Sequence, residues 1–115
     1  MKRMIWLMVA SIMIFGTGIA IAELNSGPEE LTIDGGDRGN VPFPHRKHQT
    51  NLKDCNICHA VFPQKTGAIA EMKAQGKLKQ KDVMNKQCTK CHRNEKKAGN
   101  PSGPTTCAKC HMKKG

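Results

Sequence analysis

Every cysteine of this 115-residue chain lies in one of three copies of the pattern Cys-x-x-Cys-His. The copies are Cys55-Asn56-Ile57-Cys58-His59, Cys88-Thr89-Lys90-Cys91-His92 and Cys107-Ala108-Lys109-Cys110-His111. The chemistry that needs this spacing is covalent attachment of c-type haem. Two thiols separated by two residues reach, along one helical turn, the two vinyl groups on neighbouring pyrroles. The histidine that follows aims its imidazole at the iron from one face of the ring. A single copy would also fit a redox dithiol or half of a zinc site, and exported chains use cysteines for disulfides. Neither explains three pairs, each trailed by a histidine, with no thiol left over. The sequence therefore predicts three covalently bound c-type haems.

Three irons held at both axial positions need six ligands. His59, His92 and His111 supply three, and the chain has only two further histidines, His45 and His48. One ligand is missing. His45 and His48 stand three residues apart, on similar sides of a helical turn, where two imidazoles can serve two different haems. An exposed polar pair or a weak surface metal site is the plainer alternative. It loses weight in a chain whose other histidines all follow haem cysteines.

The elements that must position these groups are short. Glu23 to Glu30 is polar, contains Gly27-Pro28 and is expected to be a flexible lead-in. Leu31-Thr32-Ile33 and Val41-Pro42-Phe43 flank a run of turn formers, Asp34 to Asn40, which predicts a two-stranded hairpin. Pro42 requires its strand to be an edge. Gly67 to Lys79 favours helix, with Gly76 as an interruption. Asp82 is placed to N-cap a second helix that runs through Val83 and Met84 into the second haem motif. Gly99 to Pro104 reads as loop.

Composition limits the fold. A mature chain from Glu23 to Gly115 holds 93 residues, with Phe43 and Phe62 as its only aromatics. That is too little apolar side chain for a conventional core, and chains of this size need covalent or metal staples. Three porphyrins supply the missing apolar area, so without them the chain is expected to be largely unfolded.

The first residues have the form of an export signal. Lys2 and Arg3 precede an uncharged, mostly apolar run from Met4 to Ala22, which closes on Ala20-Ile21-Ala22. An uncleaved membrane anchor is the alternative, since the run approaches a membrane-spanning length. Gly16, Gly18 and the small-x-small ending favour cleavage. Export fits the cofactor, because haem is joined to Cys-x-x-Cys-His outside the cytoplasmic membrane. The expected layout is a signal peptide over 1–22, the lead-in over 23–30 and one three-haem unit over 31–115.

Loss of Lys2 and Arg3 from 19 basic residues leaves 17 against 9 acidic, a net +8. Six ionised haem propionates lower that to about +2. Many lysines are then propionate neighbours or plain solvated surface, and the functional reading is a lysine-lined haem edge that steers acidic redox partners. Nucleic acid is excluded as a partner by location and by the lack of interleaved aromatics for stacking bases.

Phe43-Pro44-His45-x-x-His48, followed by three Cys-x-x-Cys-His motifs in under 60 residues, resembles the three-haem cytochromes c7, the compact branch of the cytochrome c3 superfamily. The resemblance runs from about Leu31 to the C-terminus. It implies a small multihaem cytochrome, mostly α with a short N-terminal two-stranded hairpin and a core built of three haems. It also implies that His45 pairs with His59, and His48 with His92. The family's third distal histidine lies four residues before the second haem motif, and that position here is Met84. A thioether is a known axial ligand and raises the potential relative to two histidines. Met84 is thus the expected partner of His111. Met72, a lysine or an open position remain alternatives, as does a packing role for Met84.

The expected function is periplasmic electron transfer, with two bis-His haems of low potential and one His/Met haem above them. By resemblance, the protein would shuttle electrons between inner-membrane quinol oxidation and outer-membrane or extracellular acceptors in anaerobic respiration. The partners are other redox proteins, and a monomer is expected. No enzyme activity is expected beyond the incidental metal-ion reduction that the resemblance allows. The rival is a haem enzyme or gas sensor that uses an exchangeable sixth position on the third haem, although no catalytic acid or base is placed for it.

Overall fold

The computed structural model describes Ser26 to Lys113, so the proposed signal segment lies outside the described residues. Strands β1 (Leu31–Ile33) and β2 (Val41–Phe43) pair antiparallel, with Leu31 opposite Phe43 and Ile33 opposite Val41. The hairpin and both its strands are those read from the sequence. Its connection contains a 3₁₀ turn over Gly36–Arg38, which begins where Asp34 Oδ1 accepts the Gly36 N–H at 2.9 Å. That is the local side-chain bond that makes aspartate a turn former.

Five short α-helices follow: α1 (His45–Leu52), α2 (Asn56–His59), α3 (Ala68–Ala74), α4 (Thr89–Lys97) and α5 (Cys107–Cys110). Helix α1 starts directly after Pro44, which has no N–H to leave unpaired at a helix entry. It stops at Lys53, whose left-handed φ of 57° ends the helix. Helix α3 is shorter than the helix-favouring run from Gly67 to Lys79, because Gly67 and Gly76 both take positive φ.

Between α3 and α4, Val83–Cys88 forms a wide π-helical turn rather than the expected α-helix. Asp82 does not N-cap it. Its backbone is already helical, and its carboxylate reaches backwards to the Lys79 N–H at 2.9 Å and sideways to Lys86 at 3.2 Å. These interactions hold the Asp82 carboxyl below the usual carboxylate range, the Lys79 amide being the largest cause.

Over its described part the lead-in is bonded to α1 by three hydrogen bonds. Ser26 O accepts from Gln49 Nε2 and Pro28 O from His45 Nδ1, both at 2.8 Å, and Glu29 O accepts the Arg46 N–H at 2.9 Å. A polar, Gly-Pro segment reads as loose because its bonding groups are backbone carbonyls, which leave no mark in the sequence.

Little is buried. Among the described residues the buried apolar side chains are Ala68 and Val83, the buried polar one is Thr89, and no large side chain is fully enclosed. Such a chain excludes too little apolar surface from water to order itself. Among the described residues no helix is long and apolar enough to cross a membrane.

Candidate haem sites

Helices α2, α4 and α5 carry the cysteine motifs: His59 ends α2, His92 lies within α4, and His111 directly follows α5. No disulfide ties up any of the six cysteines, so each sulfur is available to a haem vinyl group. Burial raises the thiol pKa of Cys58, Cys88 and Cys110.

The five histidines share one feature. In each, Nδ1 lies within hydrogen-bond distance of a backbone carbonyl: His45 on Pro28, His48 on Pro44, His59 on Phe62, His92 on Pro104 and His111 on Gly39, at 2.7–2.9 Å. A carbonyl can only accept, so Nδ1 must carry the proton. Nε2 is then left as a bare lone pair aimed away from the backbone. This is the arrangement by which an outer partner fixes the tautomer, orientation and basicity of a metal-binding imidazole. Burial lowers the pKa of His48, against the opposing effect of its bond to Pro44, and so favours the neutral ring that a metal requires.

Four of the rings lie in two close pairs. His45 and His59 have centroids 6.1 Å apart with planes at 85°, and His48 and His92 have centroids 6.2 Å apart with planes at 29°. Two metal–nitrogen bonds of about 2.0–2.1 Å, with about 1.1 Å from each nitrogen to its ring centre, span nearly the same distance. An iron between each pair therefore fits. His111, the fifth, has no imidazole opposite it among the described residues.

The His45–His59 axis is flanked by two cavities of about 360 and 840 Å³, and Cys55 borders both. The smaller is walled by apolar groups including Ile33, Phe43, Leu52, Phe62 and Val83. The larger has a mixed lining that includes Lys53 and Lys65 together with Asp54. An apolar slot beside a more polar one suits a porphyrin, which has a greasy body and carboxylate-bearing edge. Volume, cysteines and paired imidazoles therefore agree on haem. Among the described residues no group of three or more His, Cys, Asp or Glu converges as a bare metal-ion site would require.

The chain ends are joined at the third motif. Met112 N–H donates to Asn40 O at 2.9 Å, and the next carbonyl back, Gly39 O, receives His111 Nδ1. Gly39 makes this approach possible. Its φ and ψ of 96° and 162° lie in a region nearly confined to glycine, and a Cβ there would collide with the Met112 carbonyl. Gly103 serves similarly beside the second motif, since a Cβ would run into the His92 ring. Gly39→Ala should lower the thermal midpoint of the holoprotein, with about 1–3 kcal/mol lost to backbone strain alone. The same variant should perturb the spectrum of the third haem and leave the other two unchanged. Thermal unfolding followed by haem absorption checks both.

Sequence reasoning found the cysteines and histidines and missed what orients them. Pro28, Pro104, Phe62 and Gly39 act through backbone carbonyls, for which side-chain patterns hold no signal. Gly35 and Gly103, where a Cβ would run into the His111 and His92 rings, are the residues that could have hinted at it.

Short helices and one hairpin, arranged about three Cys-x-x-Cys-His motifs whose histidines are each held through Nδ1, define a small multihaem c-type cytochrome. The family described as cytochrome c7 and related cytochrome c matches residues 41–112. Cytochrome c7 of Geobacter metallireducens is 35% identical over 113 residues, spanning 98% of this chain and all of that one. Among solved structures, the triheme cytochrome PpcA of Geobacter sulfurreducens superposes with a TM-score of 0.53 at 29% identity. PpcB, a cytochrome c7 of the same organism, gives 0.52 at 32% identity, and each match covers 75% of this chain and all of the relative. The chain belongs to the cytochrome c7 family of electron-transfer proteins. Three covalent c-type haems are the cofactors of its triheme members, and three attachment motifs are present here.

Proposed function

We propose that this chain is a periplasmic electron carrier whose third haem differs from the other two. Cys55 and Cys58, Cys88 and Cys91, and Cys107 and Cys110 hold the three haems. His45 and His59 ligate the first, His48 and His92 the second, and Met84 and His111 the third. Bound haem supplies one-electron exchange between ferric and ferrous iron. The observation that carries the reading is the use of all five imidazoles: four are matched in two close pairs, and His111 is left without one.

The residues set the order of potentials. An imidazole whose Nδ1–H is held by a carbonyl is a stronger base toward the metal and favours the ferric state. A thioether is soft and favours the ferrous state, so the His111 site lies above the other two. With haem bound, the His111 site would thus be the one most readily reduced and would serve as the internal sink. This suits a directional relay between inner-membrane donors and outer-membrane or extracellular acceptors in anaerobic respiration. Lys53, which lines the first site, provides a cation against which an acidic partner can orient. The same reading includes removal of residues 1–22 on export and a monomeric mature protein.

Potentiometric titration of the purified holoprotein, followed by absorption, tests the asymmetry. Two low midpoints and one well above them are expected, with a ferric sulfur-to-iron charge-transfer band that disappears as the highest site is reduced. Magnetic resonance showing nitrogen on both faces of all three irons would overturn the assignment. A high-spin third haem would favour the rival gas-binding or enzymatic reading.

A further inference from the structure

We propose that Thr89 is the latch that keeps Met84 on the third iron, and that removing its hydroxyl opens that haem to small exogenous ligands. The inference rests on Met84 ligation as proposed above. Thr89 is only 6% exposed and is the buried polar residue among those described. Its Oγ1 donates to Met84 O at 2.9 Å, and its own N–H donates to the same carbonyl. Threonine hydroxyls inside helices ordinarily bond the carbonyl three or four residues back. Here the acceptor is five residues back, within reach because Val83–Cys88 is wound as a π turn.

The bond therefore belongs to the wide turn and not to the α-helix that could replace it. π turns are rare and are found mostly as single turns at functional sites. Each has to be held against a tighter alternative. Were this turn to close, the Met84 carbonyl would pass from Thr89 to the Cys88 N–H. Everything upstream would then rotate about the axis by roughly 100°, the angle per residue of an α-helix. Val83 would leave the wall of the first haem cavity, which it lines at 9% exposure. Met84 would be turned away from any position it holds relative to the second motif. The upstream end is braced independently by Asp82, through Lys79 and Lys86. At the downstream end, Thr89 supplies the one side-chain bond to Met84 among the described residues. Thr89 is thus a positioning residue for the sixth ligand and touches no iron itself.

The experiment uses intact triheme protein carrying Thr89→Val, Thr89→Ser or Met84→Leu. Two quantities are read: the ferric sulfur-to-iron band, and the fraction of ferrous haem that binds carbon monoxide. Thr89→Val keeps shape and loses the hydroxyl, so the carbon-monoxide-accessible fraction should rise on the order of fivefold, the equilibrium value of one hydrogen bond. Thr89→Ser restores the hydroxyl and should behave as the parent. Should the valine variant fail to accumulate, Thr89→Ala is read in the same way. The latch is overturned if removal of the hydroxyl leaves both readings unchanged while Met84→Leu abolishes the band. If Met84→Leu itself changes nothing, the ligand assignment falls and takes the latch with it.

Discussion

Replacing Met84 with alanine should lower the highest of the three midpoint potentials and erase the sulfur-to-iron band, leaving the two lower midpoints almost in place. The drop should be on the order of 0.2 V, a fraction of the roughly 0.8 V over which axial ligands tune haem. On the proposed ligation, three irons require six ligands and five imidazoles exist, four of which lie in two pairs with ring centroids 6.1 and 6.2 Å apart. His111 is oriented like the others, through Gly39 O at 2.9 Å. On that reading its partner across the iron is something other than histidine. Met84→His carries the argument in the opposite direction: a second imidazole should bring the third midpoint into the range of the other two while keeping the iron low-spin. Met72 offers the sharpest alternative outcome. It is half-buried, and its neighbour Lys73 reaches Asp34 O at 3.2 Å, in the same hairpin connection that holds His111. If Met72→Leu removes the band and Met84→Ala does not, the sixth ligand is Met72. Titration of the variants side by side, with absorption as the readout, separates the two.

How much of this could be read in advance follows from which atoms do the work. The haem motifs, His45, His48 and both strands of the hairpin are carried by side-chain identity and spacing, and all were legible. The tethering of Ser26–Glu30 to α1 was not, because its acceptors are carbonyls and its Gly27-Pro28 composition is that of a loose segment. Asp82 illustrates a different failure. Aspartate before an apolar residue is a sound N-cap signal, yet this carboxylate is taken by the Lys79 amide behind it and by Lys86 one turn on. The π turn was also invisible. A helix of normal pitch and one wound wider share the same propensities, and the distinction turns on a buried hydroxyl, Thr89, whose acceptor lies five residues back instead of four. Thr89 sits between two haem cysteines, where the pattern treats it as a free position. Residues that hold ligands in place are thus harder to find than the ligands, because their partners are backbone atoms.

The largest effect on stability should come from withholding the cofactor altogether. A chain with all six cysteines changed to serine, Cys55, Cys58, Cys88, Cys91, Cys107 and Cys110, should show no cooperative thermal transition and little more helix than an unfolded peptide. The reason lies in what is buried. Ala68 and Val83 are the buried apolar residues among those described, and no large side chain is fully enclosed. Ordering each residue costs about 1–2 kcal/mol in backbone entropy, and burial returns about 25 cal/mol for each Å² of apolar surface. Two small side chains cannot offset the ordering of some ninety residues by that exchange rate. Nor can the helices stand alone: α4 over Thr89–Lys97, even with the π turn over Val83–Cys88 that runs into it, only reaches the roughly 12–15 residues at which isolated helices are marginal. The walls of the two cavities beside His45 and His59 belong to α1, α2, α3 and the hairpin, so a filled slot joins elements that hardly touch otherwise. Removing one motif, as in Cys107→Ser with Cys110→Ser, should be milder. The protein should keep two haems, lose one haem in mass, and lose the order of the hairpin connection that His111 and Met112 clamp through Gly39 and Asn40. Circular dichroism on heating, with mass spectrometry to count haems, reads both cases. A cooperative transition in the six-serine chain would show that the polypeptide has a core of its own, and that the haems are passengers in the fold.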